Sequence, residues 1–229
     1  DHINALVDFS EYLKTISSFE ITSRTFDSII DLIENCIENA FTGHSTDIVI
    51  SSALKAILIL STKISKDYLE ILLDTFKLKP FDTNLKCIQT NYISMFIDMF
   101  SNLANCDIEK QKVCVDIMFN LYCEQLLREG LNENAMAIIE LLTALIKSMG
   151  NLFNSEQKST VLKNILVLIS DKYYNIKNDV INIFLAWSKI ANEEQINVVI
   201  LNLLNNSAKI AYCILTSLIV EIPTRFDKH

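Results

Sequence analysis

Residues 26–41 read FDSIIDLIENCIENAF, and their order decides what kind of fold the chain can build. Phe26, Ile29, Ile30, Ile33, Ile37, Ala40 and Phe41 recur at the three-and-four spacing that lines one face of an α-helix. Asp27, Asp31, Glu34 and Glu38 fall on the opposite face. The segment is an amphipathic helix with a wet, acidic side. Just beyond it, Ile48, Val49, Ile50, Ala53, Leu54, Ala56, Ile57, Leu58, Ile59 and Leu60 leave almost no polar circumference. A helix of that kind must be covered on two sides or bind something.

Working outward, composition extends the helical reading to the rest of the 229 residues. The chain holds 3 Gly and 2 Pro, roughly 2% where about 12% is ordinary. Sandwiches and barrels need Gly, Pro or Asn-Gly at every turn, and doubly wound folds need glycines at their phosphate loops. Half of the residues are apolar and 21% are charged, which excludes disorder. What remains is helices joined by short polar turns. Thr42-Gly43-His44, Lys79-Pro80-Phe81 and Arg128-Glu129-Gly130 are breakers, and Asn154-x-x-Gln157 and Asn192-x-x-Gln195 have capping-box spacing. Helices are expected at 2–16, 21–41, 46–63, 66–77, 83–105, 108–128, 132–151, 156–170, 174–190, 194–205 and 208–222. The linkers between them are too short for a domain boundary.

Helices of similar length with short linkers invite a search for repeats. Asp171 is followed by the pair Ile176-Lys177 and then by Val180 and Phe184. This acidic turn residue, apolar-basic pair and apolar spacing resemble the second helix of a HEAT repeat. The apolar spacing recurs at Val49/Ala53/Ile57, Ile88/Tyr92/Phe96, Ile138/Leu142/Ile146 and Ile210/Ile214/Leu218. Only Ile176 is followed by a basic residue, so the basic ladder of the family is missing. HEAT, armadillo and an irregular helical stack all stay open. The resemblance implies an all-α fold, an α-α superhelix of about five antiparallel helix pairs with one additional N-terminal helix. Residues 1–229 form a single helical-repeat domain on this reading, as a segment of a longer array or with 2–16 as a cap.

Catalysis finds no pattern to rest on. His2 and His229 lie at the ends and His44 in a turn, so no triad or zinc set can be drawn. Gly43, Gly130 and Gly150 are too scattered for a phosphate loop. No catalytic residue, metal site or cofactor is expected. The six cysteines contain no CxxC and read as reduced core thiols, which suits cytoplasm or nucleus. No uninterrupted apolar run reaches the 18 or so residues of a membrane span; the longest candidates, 48–60 and 211–220, fall short.

Function is then expected from surface. Net charge is -8, with 12 acids against 7 bases in residues 1–80, 9 against 5 in 81–150, and 7 against 8 in 151–229. No window clusters Lys and Arg as direct nucleic-acid binding requires. An acidic surface favours basic protein partners. In a helical solenoid the second helices form a wall that grips extended or helical segments. Candidate protein-binding residues there are Asp98, Asn102, Glu133 and Glu140, with solvated helix faces as the plainer reading. The resemblance implies a non-catalytic protein–protein interaction scaffold or adaptor, similar in charge and architecture to nuclear transport receptors. A chromosome-associated or cytoskeletal HEAT-repeat scaffold is the alternative, and a helical-bundle enzyme or lipid-binding domain comes third. Trp187 lies in a late helix rather than a first-repeat turn, which sets the chain apart from tubulin-binding arrays. Its stripe with Val180 and Phe184 marks it as core, and Tyr173-Tyr174 ahead of it are expected in an accessible turn.

Overall fold

A computed structural model describes residues 2–15, 21–40, 46–82, 86–129 and 134–221. Every regular element among them is helical: α1 His2–Thr15, α2 Ser23–Ala40, α3 Thr46–Lys63, α4 Lys66–Phe76, α5 Lys79–Asp82, α6 Lys86–Leu103, α7 Ile108–Glu129, α8 Ala135–Met149, α9 Ser155–Leu166, α10 Lys177–Ile190, α11 Glu193–Leu204 and α12 Lys209–Glu221. Two 3₁₀ turns, Gly150–Leu152 and Asp171–Ile176, precede α9 and α10. No strand occurs among the described residues, and the chain is all-α.

Contacts divide the chain into two compact units, residues 1–118 and 119–229, with the boundary inside α7. In the first, α3 packs against α1, α2 and α6, and α5 against α6. That covering explains how the nearly all-apolar α3 is satisfied: Ile50, Ala53, Ala56, Ile57 and Leu60 are fully buried. The ring of Phe26 on α2 meets Tyr68 of α4 at 4.7 Å between centroids. Glu34 of α2 receives Lys79 Nζ of α5 at 3.0 Å.

The second unit repeats one relation. α8 packs along α10 and α10 along α12, while α9 lies against α10 and α11, and α11 against α12. Hydrogen bonds tie these helices where apolar packing alone would let them slide. Trp187, 1% exposed, donates its indole Nε1–H to the Lys158 carbonyl of α9 at 3.2 Å. Asn164, buried in α9, donates to the Cys123 carbonyl of α7 at 3.3 Å. Gln195 Nε2 donates to Ser159 Oγ at 3.1 Å. At the turns, Asn206 Nδ2 donates to the Ile169 carbonyl at 3.1 Å, and Asp171 Oδ1 accepts the Lys209 backbone N–H at 2.7 Å. The acidic turn residue of one helix pair thereby holds the start of the next pair's second helix. Gly150 serves close approach at the far end, since a Cβ there would stand 3.1 Å from Ile190 Cγ2.

Both capping boxes form. Asn154 Oδ1 accepts from Gln157 N at 2.8 Å while Gln157 Oε1 accepts from Asn154 N at 3.0 Å, and Asn192 with Gln195 does the same at 2.8 and 3.2 Å.

Four local expectations are corrected. Residues 79–82 form a helical turn instead of a break, since Pro80 sits in the first turn, where a missing N–H costs nothing. α9 ends at Leu166, and α10 begins at Lys177. Between them the chain tightens into 3₁₀ geometry that buries Tyr173 and leaves Tyr174 exposed, so only one of the two tyrosines is accessible. Among the cysteines, Cys36, Cys114 and Cys123 are buried, Cys106 and Cys213 are half-buried, and Cys87 is exposed. The breaker at 42–44, Gly130 and the candidate Glu133 lie outside the described residues.

Candidate protein-binding surface

Asp98 and Asn102 stand four residues apart on α6 and are both exposed, flanked by exposed Ser94 and Ser101. Four residues are one helical turn, so the carboxylate and the amide share a face. Glu140 belongs to the second unit. It rises from α8, whose other exposed positions are Met136 and Lys147, a narrow stripe on an otherwise buried helix. Burial at the foot of this stripe pushes the Glu140 carboxyl above the ordinary carboxylate range, and Asp179 on α10 adds to the shift.

The acid is densest elsewhere. α2 turns Asp27, Asp31 and Glu38 to solvent, and α4 does the same with Asp67, Glu70 and Asp74. The exposed positions of α6, by contrast, are Lys86, Cys87, Thr90, Ser94, Asp98, Ser101 and Asn102, with a single carboxylate among them. Glu34 and Glu38 also lie near the buried Tyr92 of α6, whose phenol is pushed up by burial first and by these two carboxylates next. The sequence signal for the α2 face was the acidic run at 26–41. Its weight relative to the second helices depends on which helix faces inward, which periodicity alone leaves open.

A second feature emerges from the repeat spacing. The buried anchors Ile138, Val180 and Ile210 occupy equivalent places on α8, α10 and α12. Two residues after each anchor stand Glu140, Asn182 and Tyr212, all exposed; nine residues after each stand Lys147, Lys189 and Ile219, also all exposed. The three neighbouring helices therefore present rows in common register. Those rows are polar on α8 and α10 and turn apolar on α12, where Tyr212 is 75% and Ile219 48% exposed. Sequence reasoning missed both side chains, although the anchor spacing could have found them.

No group of three His, Cys, Asp or Glu side chains among the described residues is placed to hold a metal ion. One segment, Ala135–Leu152, is long and apolar enough to cross a membrane by length and composition, a candidate that the search for uninterrupted apolar runs passed over because Glu140 and Lys147 interrupt it. It is mostly buried, and α8 within it packs along α10. The surface features and the repeat spacing are properties of this chain's own residues; no family model, curated protein or solved structure matches it.

Proposed function

We propose that the chain is a non-catalytic protein–protein interaction scaffold, a HEAT-like superhelical array of stacked helix pairs that receives a basic protein segment. The observation carrying this reading is the order α8, α10, α12, each second helix lying against the next, with Asp171 bridging consecutive pairs. An array of this kind has surface as its principal resource. Here the surface offers acidic faces on α2 and α4 and the carboxylates Asp98 and Glu140. A reducing compartment, cytoplasm or nucleus, suits the buried free thiols Cys36, Cys114 and Cys123.

The test is the binding of a fluorescent Lys/Arg-rich peptide, followed by anisotropy at low and high salt. Affinity should fall as screening tightens toward about 8 Å at physiological ionic strength and beyond. Asp98→Lys with Glu140→Lys should slow association while the helical circular dichroism stays unchanged, since such exposed positions contribute little to stability. Loss confined instead to Asp27→Lys, Asp31→Lys and Asp74→Lys assigns the contact to the first helices. Affinity that is flat with salt and indifferent to both sets rejects a basic partner.

A further inference from the structure

Two helices of the first unit carry the same spacing on their outer sides. On α2, Asp27, Asp31, Glu34 and Glu38 follow one another at four, three and four residues; on α4 and the turn after it, Asp67, Ile71, Asp74 and Leu78 do the same. Each set falls within about 60° around its helix axis and makes one row. The helices run side by side in the same direction, since Phe26 near the start of α2 meets Tyr68 near the start of α4, and Glu34 further along α2 meets Lys79 just past α4. Asp27 follows Phe26 by one residue and Asp67 precedes Tyr68 by one, about a quarter-turn each in opposite senses. In parallel neighbours those opposite quarter-turns bring both rows to the same side. That side is open: Glu34 is half-buried and the other seven residues are exposed, Ile71 at 47% and Leu78 at 39%.

The charges around Ile71 and Leu78 add instead of cancelling. Six carboxylates stand in the two rows, and Glu70 is exposed beside the second. Against them are the exposed Arg24 at one end and, at the other, Lys77 and Lys79, already held by Asp74 at 2.6 Å and Glu34 at 3.0 Å. Lys66 turns away to Glu109 at 3.8 Å. An occupant must therefore bring positive charge, and it must also cover two aliphatic side chains. Phosphate surfaces, whether of lipid or nucleic acid, are repelled here, and a second copy of the chain would set the same carboxylates against themselves. An extended basic tail answers the carboxylates but leaves Ile71 and Leu78 wet. We propose that the α2–α4 face is the docking site of an amphipathic basic helix of a partner protein. Its apolar stripe covers Ile71 and Leu78, and its Lys or Arg side chains reach the row of α2. Asp67 to Leu78 spans about 16 Å, so three turns of the partner suffice. The site rests on the basic-partner reading above and gives that partner a place and a form.

The experiment uses the full chain and two synthetic peptides of identical Leu, Lys and Ala composition, one with its leucines on a single helical stripe, the other with the same residues scrambled so that no stripe forms. Isothermal titration should show the striped peptide binding roughly tenfold or more tightly than the scrambled one, because only the stripe removes Ile71 and Leu78 from water. Ile71→Ser with Leu78→Ser should bring the striped peptide down to the level of the scrambled one, leave the scrambled one as it was, and keep the parental melting temperature. Asp31→Asn with Asp67→Asn should weaken both peptides and flatten their salt dependence. The proposal is overturned by equal binding of both peptides to the parent, or by a serine variant that binds the striped peptide as the parent does. It is overturned equally if Asp98→Lys with Glu140→Lys abolishes binding while the Asp31 and Asp67 variant binds normally. Equal but salt-dependent binding of the two peptides removes this site and leaves the basic-partner reading standing, whereas binding of neither rejects both.

Discussion

Glu140 shows how a single residue's surroundings alter a charge that looks ordinary in sequence. Its carboxyl is raised by burial and by Asp179. A raised carboxyl favours the folded state while it is protonated. That contribution is complete below the ordinary carboxylate pKa and is lost as pH rises through the raised value. Glu140→Gln removes the titration, so the variant should melt slightly above the parent near pH 7 and lose this advantage near pH 4. The effect is small because the side chain is exposed. Thermal melts at the two pH values check it, and a difference that does not vary with pH sinks it. Trp187 was legible as core because it continues the stripe of Val180 and Phe184; its indole partner, the Lys158 carbonyl, was not, since 29 residues separate them in sequence. Cys87 was expected in the core with the other thiols but is exposed, since a lone thiol's sequence position says little about which side of α6 it occupies.

At the scale of elements, local chemistry was the most readable part of the chain. The two Asn-x-x-Gln boxes could be named from spacing because both partners lie within one turn. Asn154→Ala removes the oxygen that accepts from Gln157 N, and should cost about 1 kcal/mol in urea unfolding. Asp171 was readable only in part. Its place in a turn before an apolar-basic pair suggested a repeat, yet the group it binds, the Lys209 N–H, is 38 residues away. Asp171 does for α12 what a cap normally does from within, pairing a free N–H and placing negative charge at the positive helix end. Asp171→Ala should therefore cost about 1 kcal/mol, and Asp171→Asn less, because the amide oxygen keeps the hydrogen bond and loses only the charge. Equal costs for the two variants would assign the role to charge alone. The 3₁₀ turn around Tyr173 escaped periodicity altogether: burial of one tyrosine against the ends of neighbouring helices is a tertiary event, and six residues are too few to set a pattern.

For the molecule as a whole, the decisive property is how far a local loss of stability spreads. A stack of helix pairs is stabilised mainly by nearest-neighbour contacts, so damage to one pair weakens that pair and those adjoining it. A bundle around one shared core unfolds as a unit, and damage anywhere loosens all of it. Trp187→Ala is suited to separate these cases, since it empties a fully enclosed site between α10 and α9 and should cost about 3 to 5 kcal/mol. In the array, amide exchange followed by mass spectrometry should accelerate in peptides covering α8, α9, α10 and α12, the helices packed on or paired with α10. Protection in α1, α3 and α4 should stay at its parental level, because their contacts lie within residues 1–118. Acceleration of similar size in both units would mean that the chain shares one cooperative core, and the array reading would have to be given up. The choice of this tryptophan strengthens the test. Its side chain is enclosed, so the loss measured is packing rather than binding, and a parental exchange pattern throughout would show that Trp187 contributes to neither unit's stability.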